Sequence, residues 1–142
     1  LQHGVHAVSA VGVVSIAVGV LTLCLRASTL VAPAATLRWF TGAISTNGSI
    51  RVMGTCAVIL GATMAWAGAS EDSTLAFILS FAGWAFVVMS TPAMVVFPGV
   101  YRALFNAAMP SDASTTLTLL RMRGLAGVIA GVLLIYFGAR AL

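Results

Sequence analysis

VHAVSAVGVVSIAVGVLTLCL, residues 5–25, runs for 21 residues without Asp, Glu, Lys or Arg. About 20 such residues, coiled as a helix, cross the roughly 30 Å hydrocarbon core of a bilayer. Three more apolar stretches follow at residues 52–69, 74–97 and about 117–139, the last with two arginines near its start. Because lipid offers backbone groups no water to bond, each stretch is predicted to be a helix. The sequence therefore predicts an all-α integral membrane protein with four transmembrane helices.

The composition excludes the common soluble classes. Of the 142 residues, 61% are hydrophobic and 7% are charged, and the basic residues are seven arginines with no lysine. A soluble domain carries about a quarter charged residues, so this chain could not cover its surface in water. A soluble enzyme and a disordered tail are thereby excluded, and nucleic acid is not an expected partner. The sequence predicts one transmembrane domain over residues 1–142.

The two halves of the chain resemble each other. Matched residues lie seventy positions apart in the second and fourth predicted helices: Arg51 with Arg121, Gly54 with Gly124, Gly61 with Gly131, and Gly68 with Gly138. With a small gap, Pro33 also meets Pro98, and Phe40 meets Phe105. Two helices per unit return the chain to its starting side. We therefore expect two parallel two-helix repeats, repeat 1 at about residues 5–70 and repeat 2 at about residues 74–142.

Each long linker contains a short amphipathic segment. Trp39 and Phe40 follow Arg38 in the first linker, and Tyr101 precedes Arg102 in the second. Aromatic residues beside arginine at the edge of an apolar span are typical of helices that lie in the headgroup layer. We expect an interfacial amphipathic helix in each linker. The alternative is a loop folded over the end of the helix bundle.

The arginines divide unequally between the two sides of the membrane. Six of the seven fall with Asp112 on the side of the long linkers, whereas Arg140 shares the side of the termini with Glu71 and Asp72. The positive-inside rule then directs the linkers to the cytoplasm, or to the matrix or stroma of an organelle, and both termini to the opposite side. The expected location is a bacterial inner membrane, or an organellar thylakoid or inner membrane.

Three of these arginines are candidates for lipid contact. Arg51, Arg121 and Arg123 fall near the linker ends of the second and fourth predicted helices, where long side chains can extend to the headgroup layer. A guanidinium group binds phosphate in bidentate fashion. The sequence therefore predicts membrane lipids as partners of these residues.

Few residues offer cofactor or catalytic chemistry. His6 is a candidate ligand for a pigment or haem, and Trp66 and Trp84 are candidates to line a pigment or quinone pocket. The alternative is that His6 lies at the outer membrane edge and that both tryptophans face lipid or fill the core. The chain carries no residue set for nucleophilic or zinc-dependent hydrolysis, so no catalytic residue and no metal site are expected. The sequence requires no cofactor, and chlorophyll, haem or quinone stay open.

Small residues in helical rows indicate close helix packing. Gly127 and Gly131 form a GxxxG pattern, and Gly61 belongs to a row of small residues on the second predicted helix. No span carries a charge at its middle, as an ion path would require. We expect a non-catalytic accessory subunit of a larger complex, with other membrane protein subunits as partners. The alternatives are a pigment-, quinone- or lipid-binding subunit of a photosynthetic or respiratory complex and, third, a small membrane transporter.

The second half also carries an ordered set of motifs: Pro98, Tyr101-Arg102, the turn Met109-Pro110-Ser111-Asp112, Leu120-Arg121, Gly124, Gly131 and Tyr136. In this order the chain resembles the YjeT-like family of small two-helix bacterial inner-membrane proteins. It departs from that family in its doubled length and in Met122, which interrupts a paired arginine. The resemblance implies a two-helix unit and a membrane location. It implies no catalytic residue, because the family has no assigned activity.

Overall fold

The computed structural model describes residues 8–109 and 111–142, which form helices joined by short turns, with no strand among them. The helices are α1 (Ala10–Val31), α2 (Pro33–Ala43), α3 (Asn47–Gly68), α4 (Thr74–Ser90), α5 (Pro98–Ala108) and α6 (Ala113–Ala141), and α4 continues into a π-helical turn, Thr91–Val96. Four of these stretches have the length and apolar composition needed to cross a membrane: α1, α3, α4 with its π-helical turn, and α6. The prediction of an all-helical chain with four such helices is confirmed.

The ends of the spanning helices differ from those predicted at charged residues. Helix α1 continues past Arg26 to Val31, and the predicted start at Val5 lies outside the described residues. Helix α3 begins at Asn47 and α6 at Ala113, so the arginines expected near their starts lie in the second and third helical turns. The physical reason is that capping residues and prolines set the helix ends, whereas an arginine continues a helix readily.

Each long helix begins at a side chain that caps it. In all four cases the side-chain oxygen of the residue before the helix accepts a hydrogen bond from a backbone N–H in the first turn; the pairs are Ser9 with Gly12, Thr46 with Ser49, Ser73 with Ala76, and Asp112 with Thr115. The caps satisfy donors that have no partner inside the helix. They fix where each helix starts.

Prolines begin the two short helices that fill the long linkers. Pro33 and Pro98 occupy the first positions of α2 and α5, where a missing N–H costs nothing. The residues before them have nearly the same backbone conformation, φ −137° and ψ 67° at Ala32 and φ −122° and ψ 69° at Phe97. A residue before proline is kept out of the helical region, so α1 and the π-helical turn both end there.

Pro92 is accommodated by the π-helical turn. It lies at the start of this turn, and the Phe97 N–H donates to the Pro92 carbonyl at 3.0 Å, one residue further along the chain than in an α-helix. Proline has no N–H for the helical ladder and its ring crowds the preceding turn. The widened turn takes up one extra residue without breaking the span.

The spanning helices pack in two close pairs, α1 with α6 and α3 with α4. Glycines meet in both: a Cβ on Gly19 would lie 2.8 Å from the Gly131 carbonyl oxygen, and a Cβ on Gly61 would lie 2.7 Å from the Gly83 carbonyl oxygen. At the far end of the first pair, a Cβ on Gly12 would lie 3.0 Å from the Leu142 side chain. The absent side chains therefore let the backbones touch.

Buried apolar side chains form two clusters among the helices. The larger lies between α1, α3 and α4, and its buried residues are Val11, Val18, Met64, Ala67, Ala76 and Leu79. The smaller lies at the opposite end of the molecule, and its buried residues are Ile44, Ile50 and Met94. Between the clusters, several threonine hydroxyl groups donate to carbonyls one turn back, as Thr22 does to Val18 at 2.7 Å and Thr63 does to Ile59 at 2.9 Å. These bonds satisfy the hydroxyls without water.

Candidate functional site

Helices α2 and α5 meet at the end of the molecule that carries most of the arginines. The rings of Phe40 and Phe105 lie 5.1 Å apart in a tilted arrangement and pack against the smaller apolar cluster. Tyr101 packs against the same cluster, and its burial raises the pKa of the phenol. Both linker segments are therefore helices that touch each other over the end of the spanning helices.

Arg102 joins the two linkers. Its Nε donates to the Ile44 carbonyl oxygen at 3.0 Å, and its Nη2 donates to Asn47 Oδ1 at 2.9 Å. Ile44 ends α2 and Asn47 begins α3, so one guanidinium group on α5 holds the corner between them. The sequence grouped Arg102 with an amphipathic segment and did not find this role.

The three arginines proposed for lipid contact, Arg51, Arg121 and Arg123, are exposed. None of their guanidinium groups makes a hydrogen bond or ion pair with another part of the chain that the structure describes. Asp112 lies at the same end of the molecule, but its carboxyl accepts hydrogen bonds from Ser114 and Thr115. These bonds lower the pKa of the Asp112 carboxyl to about 2. The arginine end thus keeps an excess of positive charge.

Arg26 lies across α6. A Cβ placed on Gly127 would come within 2.8 Å of Arg26 Cδ and 3.0 Å of Arg26 Nε. The missing side chain at Gly127 therefore makes room for the arginine stem. Sequence reasoning assigned Gly127 to helix packing and Arg26 to the end of a span, and only the packing of α1 on α6 brings the two together.

The opposite end of the molecule carries acidic residues. An open cleft of about 410 Å³ lies over the α3–α4 turn, and its polar lining includes Glu71 and Asp72. Ser9 Oγ donates to Glu71 Oε1, which ties the start of α1 to this turn. At the end of α6, the Arg140 guanidinium lies 5.1 Å from the centre of the Tyr136 ring.

The residues proposed for a pigment or quinone do not meet in a described cavity. Trp66 is 67% exposed on α3 and Trp84 is 60% exposed on α4, both on the outer surface of the chain. His6 lies outside the described residues. Neither tryptophan lines the cleft at the acidic end.

The glycines proposed for helix packing face other parts of the same chain. Gly61 contacts the Gly83 backbone, Gly131 contacts the Gly19 carbonyl and the Leu23 side chain, and Gly127 receives Arg26. The buried glycines of α3 and α6 recur every seven residues; they are Gly54, Gly61 and Gly68 on α3, and Gly124, Gly131 and Gly138 on α6. These faces are already filled.

Comparison with known proteins adds no relative to this description. No protein-family model matches the chain, and neither curated proteins nor solved structures give a significant match.

Proposed function

We propose that this protein is a non-catalytic structural subunit of a larger membrane assembly. In this proposal its arginine end rests on anionic lipid, and the outer face of α4 packs against another membrane protein. The observation that carries the proposal is a ridge of large side chains along α4. We call it the α4 ridge; its residues are Phe77, Phe81, Trp84 and Val88, exposed by 71%, 70%, 60% and 63%.

The spacing of the α4 ridge supports a role in packing. Its four residues follow one another at intervals of three or four, so they lie on one side of the helix. The residues packed inward, among them Leu79 and Gly83, lie on the other side. Aromatic and branched side chains aligned on a spanning helix offer a partner helix a large contact surface, because dispersion drives association in lipid. The small-residue rows cannot serve a partner, since they are occupied within the chain.

We also propose that the chain consists of two parallel repeats, α1–α3 and α4–α6. Support comes from paired features: α2 and α5 have 11 residues each, and Gly19 and Gly83 occupy corresponding positions sixty-four residues apart. Beyond the π-helical turn the spacing becomes sixty-five, as for Phe40 and Phe105. The extra residue of that turn accounts for the difference. Phe40 and Phe105, which correspond in this pairing, are in contact, as residues close to a pseudo-twofold axis would be.

We further propose that α2 and α5 lie in the headgroup layer of the cytoplasmic, matrix or stromal leaflet, with Arg51, Arg121 and Arg123 among the anionic lipids. Exposed apolar side chains on both short helices, such as Trp39 at 66% and Leu104 at 60%, support this placement. Exposed arginines beside them supply charge of the matching sign.

The test is native mass spectrometry of the full chain extracted from its membrane in a mild detergent. We expect a complex of defined stoichiometry with another membrane protein. The double variant Phe81→Ala, Trp84→Ala should weaken that complex by about tenfold or more while the chain stays folded, because two aromatic anchors are lost. The matched control is Ile129→Ala, Phe137→Ala on α6, exposed by 54% and 48%.

Three outcomes would contradict the proposal. A wild-type chain that runs alone under the mildest extraction has no partner to pack against. Equal losses from the α4 and α6 variants would remove the α4 ridge as the docking face. A chromophore or quinone bound in stoichiometric amount would favour the alternative function instead.

A further inference from the structure

The aliphatic part of the Arg26 side chain packs against α6, whereas its guanidinium group has no partner among the described residues. Its Cγ, Cδ and Nε lie against Gly127 on α6, in the space that any larger residue at 127 would fill. The Arg26 guanidinium makes no hydrogen bond or ion pair within residues 8–109 and 111–142. Holding the stem in place reduces the conformational entropy that an arginine loses when it binds a ligand.

Arg123 lies on the flank of α6 that the Arg26 side chain crosses. It precedes Gly127 by four residues, which is one helical turn and about 6 Å along the axis, so the two positions share a face. The Arg26 stem therefore crosses α6 about one turn from Arg123. Two arginines, from two different helices, are thereby placed on the same flank of α6.

The surroundings leave this pair unneutralised. Asp112 lies eleven residues before Arg123, about 16 Å along α6, and its carboxylate caps the helix. The neighbouring contacts between α1 and α6 are made by uncharged groups: Thr29 and Leu30 lie against Gly124, and Leu23 lies against Gly131. A molecule that binds here therefore meets the positive charge of the two arginines and, next to it, the apolar side chains along α1 and α6.

We infer that Arg26 and Arg123 form a binding site for the phosphate of one anionic phospholipid, whose acyl chains lie along the flank of α1 and α6. This inference rests on the proposed lipid contact of the arginine end. It replaces a general attraction between arginines and anionic lipids with one site that two arginines form. The depth of Arg26 favours a lipid over free phosphate, because it lies five residues, about 7 Å, inside the end of the spanning helix α1. A guanidinium fork matches a phosphate with two parallel hydrogen bonds.

The test uses the full chain in detergent micelles titrated with phosphatidylglycerol or phosphatidylcholine, with bound lipid counted by native mass spectrometry. We expect one tightly bound phosphatidylglycerol per chain. Arg26→Gln and Arg123→Gln should each lower its affinity by about tenfold. Arg38→Gln, which removes the same charge from α2, should change it by less than about twofold.

A second pair of variants separates geometry from charge. Gly127→Ala keeps every charge but displaces the Arg26 stem, so it should also weaken phosphatidylglycerol binding. Gly99→Ala is its matched control, since a Cβ there meets nothing within 4 Å. If Gly127→Ala fails to fold by circular dichroism, Arg26→Lys takes its place, because it keeps the charge and loses the fork.

Each result has one interpretation. Equal weakening by all arginine variants would overturn the defined site and leave a diffuse lipid contact. Equal binding of the two lipids by the wild type would overturn the lipid contact of the proposed function as well. Displacement of the lipid by inorganic phosphate at millimolar concentration would show a site for free phosphate and would overturn the lipid assignment.

Discussion

At the scale of single residues, Arg102 shows how one side chain can fix a corner of the fold. Its guanidinium reaches two acceptors that belong to the junction of α2 and α3, across 55 and 58 residues of sequence. The Ile44 carbonyl is at the end of a helix, where it has no partner in the next turn. Arg102 supplies that partner.

Replacing Arg102 by Gln should loosen this corner. Gln is too short and lacks the charge to bond both acceptors, so we expect a loss of about 1–3 kcal/mol in the free energy of unfolding. Equilibrium unfolding in mixed detergent micelles would measure it. Arg38→Gln on α2 removes the same charge from an exposed side chain without a partner in the described chain, and should change little. Equal effects of the two changes would show that charge, and not the corner, matters.

The roles of Arg102 and Arg26 could not be read from the sequence. Periodicity and charge predict that both residues lie at the membrane edge. Their partners, the Ile44 carbonyl and Gly127, are brought to them by packing of distant helices. Single-sequence patterns report on neighbours within a few turns, whereas these contacts depend on tertiary structure.

At the scale of the helices, the heptad spacing of glycines marks the faces along which helices pack. Gly131 packs against the Gly19 backbone on α1, and Gly61 packs against the Gly83 backbone on α4. The row of small residues could be predicted from sequence. Its partner could not, because a row without side chains fits any helix with a similar row.

Gly61→Leu and Gly131→Leu should destabilise the chain itself. A Cβ at either position meets a backbone oxygen at 2.7 Å or 3.0 Å, and a backbone cannot move aside as a side chain can. We expect each change to cost about 1–3 kcal/mol or more and to lower the yield of folded protein from the membrane. Size-exclusion profiles and thermal unfolding would measure this. Gly99→Leu, made in open space, is the control, and a wild-type profile for all three variants would contradict the internal packing.

The helix ends were predicted less well than the helices. Charged residues suggested the boundaries in the sequence, but caps and prolines set them in the structure. The capping pattern at Ser73 and the prolines at 33 and 98 are visible in the sequence. They give better boundaries than hydropathy, because they act on the backbone groups that end a helix.

At the scale of the whole molecule, the two ends differ in charge. The arginine end carries α2, α5 and the linker arginines, and the other end carries the acidic cleft at the α3–α4 turn. Length and composition suffice to predict four spanning helices. The side of the membrane on which each end lies depends on the insertion machinery and the lipid, which act outside the chain.

A cysteine-labelling experiment tests the orientation. Cys24 and Cys56 are exposed and free, so both are first replaced by Ala. A single cysteine at Ser70 should then react with an impermeant thiol reagent applied from outside, and one at Ser111 should react only after the membrane is opened. Six arginines on the side of Ser111 give the reason. The reverse pattern of labelling would invert the proposed orientation.

The contact between Gly12 and the Leu142 side chain places the described starts and ends of the helical path side by side. Ser9, which caps the same helix, is hydrogen-bonded to Glu71 in the α3–α4 turn. The first turn of α1 therefore joins the last residues of α6 to the turn between α3 and α4, so the two close helix pairs are fastened to each other at this end.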